Sequence, residues 1–176
     1  MNILENKDIL LRALEPSDVE RLFEWENNAE LWHLSNTLTP FSKYILTKYI
    51  ENSHLDIFEA KQLRLIIELK SEKRAIGAID LFDFDPFHKR AGIGILIHHI
   101  SDRNNGFATQ ALDTLINYCF YILQLHQIYC NIAIDNQASL QLFLKHDFTI
   151  VGEKKDWIKS ANGFIDEYLL QLINPK

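Results

Sequence analysis

RAGIGILIHHISDRNNGFATQAL, Arg90 to Leu112, decides how this 176-residue chain is read. Ala91 to Ile97 is almost free of polar side chains, as suits a strand in the middle of a sheet. Polar Ser101 to Asn105 interrupts it, and after Gly106 the residues Ala108, Ala111, Leu112, Leu115, Cys119 and Leu123 mark the apolar stripe of a helix. Such a strand, loop and glycine-led helix suits an anion. The first N–H groups of a helix have no partner within it, and the aligned peptide dipoles put partial positive charge there, so main chain alone can hold a pyrophosphate. Gly106 and Ala108 keep that approach open. Ordinary turn chemistry produces the same pattern, so the loop needs its surroundings to be interpreted.

Upstream, Leu63, Leu65, Ile67 and Leu69 alternate with polar Arg64 and Glu68, which predicts a strand; Lys70 to Arg74 turns the chain, and Ala75 to Phe84 returns until Asp85-Pro86 stops it. Ile9 to Leu14 reads as a short strand. Pro16, Ser17 and Asp18 open a helix carrying Val19, Leu22 and Phe23, and Thr39-Pro40 starts another. Downstream come a strand (Gln127 to Ile134), a short helix (Asn136 to His146), and a strand from Phe148 to Asp156 joined through Ala161, Asn162 and Gly163 to a last strand, Phe164 to Gln171.

With 47% hydrophobic residues and no Pro, Gly or Ser-rich linker, residues 1–176 are expected to form one domain around one core. A net charge of -6 with scattered lysines and arginines argues against nucleic acid as a partner. Asp8, Glu15, Asp18, Glu20, Glu24, Glu26 and Glu30 face only Arg12 and Arg21, which either attracts a cationic partner or marks a solvated helix face. Cys119 and Cys130 sit in apolar segments, as buried thiols of a reducing compartment do, and no leader or membrane span is visible, so a cytoplasmic location without membrane attachment is expected. The seven histidines lack metal-ligand spacing, and no metal is expected.

The order of these parts resembles the GNAT acetyltransferase superfamily. Arg103, Gly106 and Ala108 match its acetyl-CoA loop, Q/R-x-x-G-x-G/A, and NQASLQLFLKHDF, Asn136 to Phe148, is similar to its N-x-x-S-x-x-L-Y-x-K-x-G-F. With LRALEPSD, Leu11 to Asp18, the likeness spans nearly the whole chain and is nearest the branch of spermidine, diamine and ribosomal-protein N-terminal acetyltransferases. It implies an α+β fold: a mixed, mostly antiparallel sheet flanked by helices, with splayed central strands, here Ala91 to Ile97 and Gln127 to Ile134. Acetyl-CoA would lie in that gap. By the same resemblance, the backbone of Leu96, Ile97 and His98 meets the pantetheine, Arg103, Asn104, Asn105, Gly106, Phe107, Ala108 and Thr109 surround the pyrophosphate, Asn136 meets the pantetheine amides, and Ser139 caps or braces the short helix. The family's tyrosine, often assigned to protonate the leaving thiolate, falls at Phe143, which lines the cofactor but has no proton to give. Its glycine before the last phenylalanine is Asp147.

For the acceptor amine, strand alternation places Asp83 and Asp85 on one face and Asp80 on the other, so Asp83 and Asp85 are the candidate catalytic carboxylates, with His88 beside them. They are equally read as solubilising residues at a strand end. Gly92 stands where many relatives have a glutamate. The expected reaction is acetyl transfer to an amine, either a polyamine or diamine or the N-terminus of a peptide or protein; a weakly active acetyl-CoA-binding protein is the other reading. A homodimer could form by pairing of the exposed final strand.

Overall fold

The computed structural model describes residues 3–175. Within them, β1 (Ile9–Arg12), β2 (Leu63–Leu69), β3 (Arg74–Asp85), β4 (Arg90–Ile97), β5 (Gln127–Ala133), β6 (Thr149–Ser160) and β7 (Gly163–Ile173) form one sheet in the order β1-β2-β3-β4-β5-β7-β6. The helices are α1 (Val19–Glu26), α2 (Trp32–Ser35), α3 (Lys43–Glu51), α4 (Ile57–Ala60), α5 (Phe107–Asn117) and α6 (Gln137–Lys145). This is the expected α+β arrangement, a mostly antiparallel sheet flanked by helices.

Alternation along β2 assigns the helices to faces. Leu65, Ile67 and Leu69 pack with Ala111, Leu112 and Leu115 of α5 and with Leu140 and Phe143 of α6, whereas Ile66 packs with Leu22 and Trp25 of α1 and Leu46 and Ile50 of α3. Two helical layers therefore sandwich the sheet.

The one parallel pairing joins β4 to β5, as a strand-helix-strand crossover through α5 requires. It lasts only for Arg90 with Gln127, Ala91 with Ile128 and Gly92 with Tyr129. β3 remains paired with β4 as far as Ile97, so beyond Gly92 the β4 edge facing β5 has no ladder partner. The strands part where the resemblance implies.

Three local readings are corrected. Helix α3 starts at Lys43, capped by Ser42, whose Oγ accepts from Ile45 N at 3.2 Å; Thr39-Pro40 belongs to the preceding loop. β3 bulges between Phe82 and Asp85, with Asp83 at φ 48°, so simple alternation fails there. The final strand β7 lies between β5 and β6 and offers no free edge; that edge belongs to β6.

Candidate active site

The parting of β4 and β5 opens a cleft of about 1280 Å³. Ile93 to Ile97 form one wall, Cys130 to Ala133 the other, and the start of α5 closes one end. Leu96, Ile97, His98, Arg103, Asn104, Gly106, Phe107, Ala108, Thr109, Asn136 and Phe143 all line it. Asn105 does not: its Nδ2 donates to the Ser101 and Arg103 carbonyls, both at 3.1 Å, and braces the loop from behind.

Loop geometry explains the glycine. Gly106 sits at φ 79° as the N-cap of α5, and a Cβ placed on it would meet no heavy atom within 4 Å, so the space before the helix N-terminus is open. Arg103 turns back on β4, donating from Nε to the Ile97 carbonyl at 2.9 Å and from Nη2 to the His98 carbonyl at 3.0 Å. His98 N–H meanwhile donates to Ile76 O at 3.1 Å. The backbone of Ile97 and His98 is thus largely occupied, and β4 offers the cleft its unpaired edge between Gly92 and Ile97 instead. Asn136 caps α6 by accepting from Ser139 N at 3.2 Å, so the cap is the asparagine and the serine is its donor.

Burial shapes the remaining wall. Cys130 lies in the cleft wall, but burial pushes its thiol up to about 12, which leaves it protonated and a poor nucleophile. His98 stacks on Trp25 with ring centres 4.1 Å apart, and burial, followed by the charge of Arg64, lowers the imidazole to about 3. It is neutral at physiological pH. Phe143 is 3% exposed and meets Phe148 edge to face at 5.0 Å.

Asp83 and Asp85 do not line the cleft. Their partners, Tyr129, His88 and Arg90, do not line it either: Asp83 accepts from the Tyr129 hydroxyl at 3.4 Å, and Asp85 accepts from His88 N at 2.9 Å, contacts His88 Nδ1 at 2.8 Å and pairs with Arg90 at 3.3 Å. His88 stays with Asp85 in the exposed turn. Gly92 is covered by the Phe82 ring, which a Cβ there would approach to 2.2 Å. Carboxylates that do line the cleft include Asp80 of β3 and Glu26 of α1, both bound by Arg64 of β2.

Residues 8–149 match the family model for the acetyltransferase (GNAT) domain. The chain belongs to the GNAT acetyltransferase family. It is 27% identical over 150 residues to the spermidine N(1)-acetyltransferase of Vibrio cholerae serotype O1, covering 84% of this chain and 82% of that one. It is 27% identical over 176 residues to the uncharacterized N-acetyltransferase YoaA of Bacillus subtilis, covering 99% and 98%. The crystal structure of spermidine N-acetyltransferase from Vibrio cholerae in complex with CoA and spermine superposes with a TM-score of 0.83 at 24% identity, covering 96% of each chain.

In this GNAT chain the loop before α5 that lines the cleft was readable from a local motif, whereas Glu26 and Arg64 were not. They lie 38 residues apart and meet only because α1 packs over β2. The acidic surplus of the N-terminal region was the signal available, and part of it is paired elsewhere: Asp18 with Arg12 and Glu20 with Lys43. Trp25, buried against α3, and Trp32 both line the cleft as well.

Proposed function

We propose that this GNAT acetyltransferase uses acetyl-CoA to acetylate a primary amine of a small diamine or polyamine. The observation carrying the proposal is the parting of β4 from β5 beside an open, glycine-led helix N-terminus. These residues fit a long cofactor with a diphosphate: an unpaired strand edge supplies amide partners along its arm, and the start of α5 supplies N–H groups and partial positive charge for its phosphates. When bound, acetyl-CoA supplies an activated acyl group. The chain contributes binding, orientation and exclusion of water, and the unpaired β4 amides are the donors available to a developing oxyanion. No cleft cysteine competes as a nucleophile, since Cys130 is a neutral thiol. Phe143 leaves protonation of the leaving thiolate to water, which is tolerable because thiols ionise near ~8.5.

Similarity to enzymes described as spermidine acetyltransferases supports the choice of acceptor, as do Glu26 and Asp80 at the amine end of the cleft. One continuous sheet supports treating residues 1–176 as a single catalytic unit. Two free, buried cysteines support a reducing, cytoplasmic setting, and no helix among the described residues is long and apolar enough to cross a membrane.

A thiol-release assay with acetyl-CoA against putrescine, spermidine, aminoglycosides and short peptides tests both activity and acceptor. We expect release with putrescine or spermidine. Release with peptides alone would move the acceptor to a protein N-terminus. Phe143 favours one further reading, a binding protein of low turnover, for which acetyl-CoA would raise the melting temperature while no amine released thiol.

A further inference from the structure

We infer that Glu26 holds the remote ammonium of the acceptor, the one that is not acetylated, and that Arg64 is the residue positioning it. This deepens the diamine reading and rests on it.

Arg64 divides its donors unequally. Nε and Nη2 fork onto the two oxygens of Asp80 at 2.7 and 3.0 Å, whereas Nη1 reaches only Oε1 of Glu26 at 2.6 Å. Asp80 is thereby satisfied along both oxygens. Glu26 Oε2 accepts no hydrogen bond among the described residues, and its side chain, 19% exposed, belongs to the cleft wall. Two carboxylates around one guanidinium leave a net charge of about -1, which one ammonium would balance. Other cleft carboxylates are differently disposed: Asp102 is forked by Arg74, Glu167 is paired with Lys154, and Asp135 stands on the turn before α6, at the cofactor end.

The aromatic wall provides an independent sign of a polar ligand here. Trp25, next to Glu26 in the chain, is 4% exposed and lines the cleft, yet among the described residues its buried Nε1 has no acceptor and Nδ1 of the His98 ring stacked on it, also buried, has no partner. Burying such groups unpaired is costly; the indole N–H needs an acceptor, which an ammonium cannot be, so they mark a place for ordered water or the neutral amine nitrogen beside the charge held by Glu26. Trp32 completes the wall, and its Nε1 donates to the Glu26 carbonyl at 2.8 Å, fixing that indole beside the carboxylate. Indole faces also attract an ammonium and cover an alkyl chain.

Chemistry separates the two amines of the acceptor. The attacking nitrogen must be neutral, and a carboxylate beside it would favour its protonated form and slow attack. Glu26 therefore suits the charge that persists through the reaction.

The test is steady-state kinetics of the full chain with acetyl-CoA and two acceptors of equal length, putrescine and butylamine. Wild type should prefer putrescine. Glu26→Gln should raise the putrescine KM by about ten- to a hundredfold, the usual size of a lost hydrogen bond to a charged group. Its kcat should change much less, so the preference for putrescine collapses toward one. Glu26→Asp should fall between the two, and the acetyl-CoA KM of both variants should stay near wild type, separating this effect from misfolding. A Glu26→Gln enzyme that kept the putrescine preference would overturn the assignment of Glu26 while leaving the diamine reading intact. A wild type without any such preference would overturn both.

Discussion

A Cβ at position 106 would meet no protein atom within 4 Å, yet its residue would have to adopt φ 79°, where an L-residue is strained by roughly 1–2 kcal/mol and a β-branched one by more. Gly106→Val should therefore raise the acetyl-CoA KM by about tenfold or more, with Gly106→Ala doing less. Unchanged affinity, measured by calorimetry, would count against the α5 N-terminus as the phosphate site. Phe143 permits the complementary experiment. Its ring lines the cleft, and Phe143→Tyr restores a hydroxyl where the family has one. We expect kcat to rise by about tenfold, below the full ~10²–10⁴ range of acid catalysis because water already serves the step. An unchanged kcat, with acetyl-CoA binding intact, would show that thiolate protonation does not limit turnover. Single residues were legible where a motif constrains backbone shape, as at Gly106. They were illegible where function depends on distant chain segments meeting, as at Glu26 and Arg64.

Elements were legible in kind and blurred at their ends for the same reason. β2 was fixed by alternation, but Thr39-Pro40 proved to lie ahead of α3, and Ser42 is the residue with its Oγ on a helical N–H. Nothing in the LFDFD run announced the bulge between Phe82 and Asp85, or that the cleft lies on the face of Asp80 and Phe82. Helix α1, which presents Trp25 and Glu26 to the cleft, is anchored at its start by Asp18. Asp18 is 4% exposed, accepts from Glu15 N at 2.8 Å and is forked by Arg12 at 2.8 and 2.9 Å. Burial alone would raise its pKa, but the Arg12 and Glu15 bonds outweigh burial and hold it below the usual carboxylate range. The folded form therefore binds this proton less readily than the unfolded chain does. Its stabilisation is complete above the ordinary aspartate pKa near ~3.9 and is lost as pH falls through the lower folded value. Asp18→Asn should cost about 3 kcal/mol at neutral pH, because Arg12 loses a buried partner, and should flatten the acid side of the stability curve. Urea denaturation at pH 7 and at pH 3 checks both. Equal loss at the two pH values would mean that the ion pair is not the cause.

Across the whole molecule, the sheet is continuous but unevenly joined. β1 to β4 form one tightly paired half and β5, β7 and β6 another, while the seam between them holds three register pairs before it opens. Length and composition hinted at one core; they carried no information about this seam, which follows from where β4 and β5 stop pairing. A ligand spanning the gap would add contacts across the weakest line of the fold and would bind the folded state alone. At a hundred times its dissociation constant, acetyl-CoA should add about 2.7 kcal/mol by mass action. For a chain of this size that corresponds to a rise in melting temperature of about 5–11 °C. The protection should grow logarithmically with ligand concentration and shrink in Gly106→Val at equal concentration. Calorimetric scans across a range of acetyl-CoA concentrations test it, and a melting temperature indifferent to the cofactor would mean that the seam is not where acetyl-CoA binds.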